Sequence, residues 1–221
     1  MTPDRLWFIA QRRLQYEGEA RANVLRLAAI GVFYLIHLWA YLASEGKLPQ
    51  WGFLQLAEAG TIDRRFHIMA TLLAGAWASA AGVIHLMLTG RIFPRWISLA
   101  ATAVDIVMLT SLLIISRGPQ SPLVVGYFLI VALAALRFSL PLVWASTAGV
   151  IVGYVCVLGV AKWPGAFGRP ADVAMRVPRY EQLVTIAALA VAGVVIGQVI
   201  RRVRALAQQV DQRLGEAGDP A

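Results

Sequence analysis

The chain has 221 residues, 59% of them hydrophobic and only 14% charged, with a formal net charge of +8. A soluble domain of this length needs far more polar surface around its core, so a mean hydropathy of +0.67 points to a polytopic membrane protein. The basic residues flank apolar runs and form no patch, which excludes a nucleic-acid footprint, and the single Cys156 excludes a disulfide framework or cysteine metal site.

The chain opens on residues 1–23, where "LWFIAQRRLQY" puts Leu6, Ile9, Ala10 and Leu14 near one helical face with Arg12 away from it. That pattern suits an interfacial amphipathic helix. The first apolar run, at about 20 residues, is too long for the h-region of a cleaved signal and is expected to stay as a membrane anchor. Six apolar segments follow, over residues 24–43, 66–88, 96–116, 122–138, 142–161 and 182–200. Five reach across a ~30 Å hydrocarbon core at ~1.5 Å per residue, whereas the fourth is short. Gly118-Pro119-Gln120-Ser121-Pro122 and Ser139-Leu140-Pro141 break the helices on either side of span four. The loop over residues 44–65 contains the apolar "LPQWGFLQL", which suits the interface, and residues 162–181 are rich in Gly, Pro and Arg. The expected architecture is an all-α bundle of six membrane-spanning helices over 24–200. An N-terminal amphipathic segment precedes it, a helical extension occupies 201–214, and a flexible tail covers 215–221.

Counting Lys and Arg orients the bundle. With the N-terminus inside, 12 of the 20 basic residues fall on the inner side, Arg26 and Arg137 among them. The clusters Arg12-Arg13 and Arg201-Arg202-Arg204 flank spans one and six on that side. Both termini are therefore expected in the cytoplasm, and the bundle in the bacterial inner membrane. Trp51, Trp96, Trp163 and Tyr180 fall where an aromatic belt should.

Small residues recur in three spans: Ala70, Ala74, Ala78 and Gly82 in the second, Gly149 and Gly153 in the fifth, Gly193 and Gly197 in the sixth. At this spacing they let helix backbones approach closely, within one bundle or across a dimer seam.

Asp105 is the one acidic residue in the middle of a span, about 13 Å inside the inner edge. A carboxylate there costs ~2.5–3.5 kcal/mol on insertion scales, so it should face protein or water and find a partner. Tyr34 lies at similar depth and is the expected partner. The pair reads either as structural glue or as a sensing or proton-handling site. His37, His67 and His85 invite a haem or metal reading, but the expected His37–His67 depth offset of about 7–8 Å is awkward for two ligands of one haem, and no second histidine joins His85. Interfacial hydrogen bonding suits them better. No HExxH, CxxC, Walker loop, GxGxxG or Ser-His-Asp set is present.

Continuing out of span six, Val199, Val203, Leu206 and Val210 are spaced 4, 3 and 4, as in a coiled-coil seam with Arg202 and Arg213 on its flanks. No proline interrupts residues 182–213, so one helix is expected throughout. Two heptads are too few to stand alone, so the seam needs a second copy or another protein.

Three stretches, "RIFPRWISLAATAVDIVMLTSLLII", "SRGPQSPLVVGYFLIVALAALRFSLPLVW" and "RVPRYEQLVTIAALAVAGVVIGQVIRRVR", together resemble the six-helix membrane modules at the N-termini of bacterial sensor histidine kinases, serine/threonine kinases and class III adenylate cyclases. The resemblance covers roughly residues 20–214. It implies that the last span drives a partner through a paired cytoplasmic helix, here without a kinase or cyclase domain. The expected function is a non-enzymatic sensory or signal-coupling module acting through a homodimer or a membrane or cytoplasmic partner. The alternatives are an accessory subunit of a respiratory or photosynthetic complex, or a small transporter or quinone- or haem-binding protein. No cofactor is expected in the leading reading; haem or quinone belongs to the last.

Overall fold

The computed structural model describes the backbone of residues 3–47, 62–90, 94, 96–167 and 176–217, and side chains within them from residue 16 to 206 and at 209. Among these residues there is no strand, and the α-helices are α1 Pro3–Ser44, α2 Arg64–Thr89, α3 Ile97–Ile115, α4 Gly126–Ala135, α5 Leu140–Lys162 and α6 Arg179–Ala217. Five of the six are long and apolar enough to cross a membrane. The apolar loop stretch "LPQWGFLQL", Trp51, the faces of residues 1–15 and the Val210 side chain lie outside what is described.

Local chemistry sets the helix ends. α1 stops where Gly46 takes φ +71; the Gly46 N–H bonds the Ala43 carbonyl and the Lys47 N–H that of Leu42, which satisfies two carbonyls at the helix end. α5 begins with Pro141 in its first turn, where a missing N–H costs nothing.

Side-chain pairs fix the register. Tyr16 reaches the Leu88 carbonyl, Asn23 that of Ala81, Tyr34 meets Thr71 and His37 meets His67, so α1 and α2 are antiparallel. α3 runs parallel to α1, since Glu19 meets Ser98 and Arg26 meets Asp105, both 79 residues on. Thr110–Tyr127 and Thr102–Arg137 set α4 and the turn after it antiparallel to α3. Tyr16, Leu88, Ser98, Arg137 and Arg204 thus share one end of the bundle, and direction alternates through all six helices.

Two expectations need correcting here. Within the span expected over 122–138 only Gly126–Ala135 is α-helix; a 3₁₀ turn at Pro122–Val125 leads into it, and a second at Gly118–Gln120 falls in the break expected between spans three and four. Gly118 at φ +60 and the two prolines prevent α-helix there, while the Ser121 hydroxyl accepts the Leu123 N–H. Gly118 and Pro119 are buried in protein, whereas no residue of the Pro122–Val125 turn is. The second correction concerns His37 and His67, which lie level and hydrogen-bond at 3.2 Å. The expected offset assumed that α1 and α2 end at one height, but the register leaves the last turn of α1 overhanging the start of α2.

The core lies among α3, α4, α5 and α6, around Leu109, Leu113, Tyr127, Val131, Val150, Tyr154 and Leu189. Small residues make it tight. A Cβ on Gly149 would sit 2.6 Å from Ile106, one on Gly153 2.7 Å from the Thr110 hydroxyl, and one on Gly193 against the Thr147 side chain. Gly197 faces Leu140 and Trp144 at looser contact, whereas Gly82 faces open space. Gly193→Leu should therefore force α5 and α6 apart and cost about 1–3 kcal/mol. Gly82→Leu should leave the melting temperature in detergent unchanged; equal effects at the two sites would contradict this packing.

Candidate functional site

Along α1, Glu19, Asn23 and Arg26 are spaced by one turn each and share a face. All three are almost wholly buried, at 0%, 0% and 2% exposure. Burying charge in a lipid-embedded bundle is tolerated only with compensation, and each has it. Arg26 Nε donates to both carboxylate oxygens of Asp105, at 2.8 and 2.9 Å, and its Nη1 donates to Asn23 Oδ1 at 2.7 Å. Trp77 Nε1, from α2, donates to Asp105 Oδ1 at 2.9 Å. Asn23 in turn donates to the Ala81 carbonyl. One carboxylate thus gathers α1, α2 and α3.

A second ion pair lies about two turns nearer the end of the bundle. Arg137, in the turn after α4, donates from Nη2 to Glu19 Oε1 at 2.7 Å. Its Nη1 donates to the Thr102 hydroxyl at 2.6 Å and to the Ser98 carbonyl at 3.2 Å. The Nε atom sits 2.7 Å from Glu19 Oε2 but off the hydrogen-bond axis, so that contact is charge attraction alone. Ser98 donates to the same oxygen at 2.7 Å. Gly18 makes the approach possible, since a Cβ there would lie 2.7 Å from the Leu136 carbonyl oxygen.

The next residue carries the network onward. Phe138 holds a left-handed backbone at φ 47, a strained conformation for a bulky residue, and its carbonyl accepts a hydrogen bond from Arg204 of α6. Adjacent residues of one turn therefore bind α1 and α6.

Of the residues singled out in the sequence, Asp105 faces the bundle interior at 2% exposure, with a polar partner as expected. The partner is not Tyr34. Tyr34 bonds Thr71 at 3.2 Å instead, because it points toward α2 about two turns farther along α1. Arg26 and Arg137, counted as markers of the inner side, are interior ion-pair members. Without them the inner count falls from 12 to 10 against 8, and orientation rests on the arginine clusters flanking spans one and six. The 3.2 Å separation of His37 and His67 leaves no room for an iron between them, and the His67 ring stacks on Tyr41 at 3.7 Å. His85 is exposed on α2. Ala70 is buried, and Ala74 lines a cavity between the first four helices. Val199, Val203 and Leu206 are exposed on α6, at 56%, 43% and 61%.

Among the described residues, a helical bundle with five apolar helices of spanning length and two ion pairs sealed inside it defines a polytopic helical membrane protein. The chain matches no family model, no curated protein and no solved structure.

Proposed function

We propose that this chain is a non-enzymatic sensory or signal-coupling module of a bacterial inner membrane, with the Arg204 end of the bundle in the cytoplasm. The observation that carries the reading is the turn at Arg137 and Phe138. Arg137 answers to Glu19 on α1, and the Phe138 carbonyl answers to Arg204 on α6. A displacement of α1 within the bundle is delivered through two consecutive residues to the helix that leaves it. α6 continues without a break to Ala217, as a rigid output needs.

The output face is Val199, Val203 and Leu206, and a second copy of the chain is its partner. Three large aliphatic side chains turned outward gain a few kcal/mol together when an identical seam covers them. The test places a cysteine at Leu206 in a Cys156→Ser background. Crosslinking between copies in native membranes is expected, and Leu206→Glu should reduce the mass in nanodiscs to that of one chain while leaving the bundle's melting temperature alone. A monomer by mass in wild type, with no crosslink at 206 or 203, would overturn the homodimer.

A further inference from the structure

Charged residues mark where α6 meets the membrane surface. Between Glu181 and Arg201 the sequence holds no charged residue, and those twenty steps rise about 30 Å, the thickness of a hydrocarbon core. With Glu181 at one boundary, Arg201 and Arg202 stand at the other, level with lipid phosphates. α5 gives the same level independently. Trp144 lies eighteen residues, about 27 Å, before Lys162, so its indole sits just inside the boundary, where indoles settle.

The two helices bring these groups onto one flank. A Cβ on Gly197 would lie 3.6 Å from Trp144 Cζ2, so the indole lies across α6 at the level of Gly197. Arg201 is one turn farther along α6 on the same side. Trp144 is 41% exposed, and Val194, one turn in the other direction, is 46% exposed. From the boundary inward the flank therefore presents a cation, an indole and an aliphatic surface. That is the order of a phospholipid's phosphate, glycerol esters and acyl chains.

The cations here are uncommitted. Arg201 and Arg202 are exposed, and among the described residues neither has a hydrogen-bond or ion-pair partner. Charge decides what they hold. The exposed charges described at this end are Arg21, Arg201, Arg202 and Arg204, all cationic, whereas Glu45, Asp63 and Glu181 stand among the cations of the opposite end. The ammonium of a zwitterionic headgroup would meet no exposed carboxylate among these residues. An anionic headgroup brings no ammonium and is drawn in.

We infer that the groove between α5 and α6 at the Arg204 end holds the headgroup of an anionic phospholipid, with Arg201 on the phosphate and the Trp144 ring against the glycerol esters. Arg202 is turned a further 100° around α6 and faces away from Trp144. Val199, two residues before Arg201, lies on the other flank, so the lipid does not compete with the proposed seam. The site stands independently of the output face, and Leu206→Glu should bind lipid as wild type does.

Native mass spectrometry of the detergent-purified chain tests it, with dioleoylphosphatidylglycerol, dioleoylphosphatidylcholine and inorganic phosphate added separately. A saturable adduct of one phosphatidylglycerol per chain is expected, roughly fivefold tighter than phosphatidylcholine, with no saturable phosphate adduct. Arg201→Gln should weaken it about fivefold, the worth of one arginine at a lipid surface, and Arg202→Gln less than ~twofold. Both side chains are exposed, so neither variant should shift the melting temperature. In phosphatidylcholine nanodiscs, a minority of phosphatidylglycerol brominated high on its acyl chains should quench fluorescence that Trp144→Phe removes, and more strongly than the same share of brominated phosphatidylcholine. Equal binding of the two lipids, equal losses at positions 201 and 202, equal quenching, or saturable binding of phosphate alone would overturn the assignment.

Discussion

Asp105→Leu is expected to melt roughly 10 °C below the wild type in detergent, or to fail to accumulate in the membrane. The substitution suits lipid better than aspartate does, so hydropathy alone forecasts a gain. The neighbours reverse that forecast. Arg26, at 2% exposure, would lose both hydrogen bonds from Nε, and Trp77 would lose its acceptor. Removing one partner of a buried ion pair costs about 3–5 kcal/mol, because the other charge stays behind without compensation. At ~2–4 °C per kcal/mol for a chain of this size, that is a large shift. Asp105→Asn keeps an acceptor for Trp77 but strands the same positive charge, so it should fall between wild type and leucine. Had Tyr34 been the partner, asparagine would have been nearly silent. A thermal melt of the three proteins separates the two cases.

Glu19→Leu is the second large effect, of similar size, about 3–5 kcal/mol, and it should travel farther. Arg137 would keep only the Thr102 hydroxyl and the Ser98 carbonyl. The strained backbone at Phe138, next to Arg137, would then relax, and the hydrogen bond from Arg204 of α6 depends on where its carbonyl points. Hydrogen exchange should rise in two places, around residue 19 and in the turn over 136–140, with Arg201 to Arg204 loosening together with that turn. Exchange confined to α1 would contradict the link between α1 and α6.

The fold was largely legible because spanning helices are written in long apolar runs, and turn residues punctuate them. Spans two, three and five end within two or three residues of α2, α3 and α5, and α6 runs past Arg213 as the absence of proline requires. Span four went astray because apolar content says nothing about 3₁₀ geometry. There Pro122–Val125 winds as a 3₁₀ turn before α4 begins, whereas the break at Gly118–Pro122 was legible from its glycine and prolines.

The site was half legible. Asp105 stood out because a lone carboxylate at mid-span has few cheap solutions. Its partner did not, because Arg26 sits near the start of an apolar run, where arginine ordinarily marks an edge. α1 packs against the other helices ahead of the middle of its apolar run, and Glu19, Asn23 and Arg26 are all buried there. Their spacing was the available signal. Polar residues at i, i+4 and i+7 ahead of an apolar run share one face, and a shared polar face implies polar partners on other helices. Arg137 offered no such pattern, since its placement depends on α4 returning to the level of Ser98.

The account turns on Arg26 and Asp105 being a charge pair that holds three helices together, rather than two separately packed side chains. A double-mutant cycle tests this directly, with Arg26→Leu, Asp105→Leu and the double variant unfolded reversibly in the same detergent. The account predicts that the double variant loses clearly less than the sum of the two single losses, with a coupling energy of about 2–3 kcal/mol. Losses that simply add, with coupling below about 0.5 kcal/mol, would contradict it.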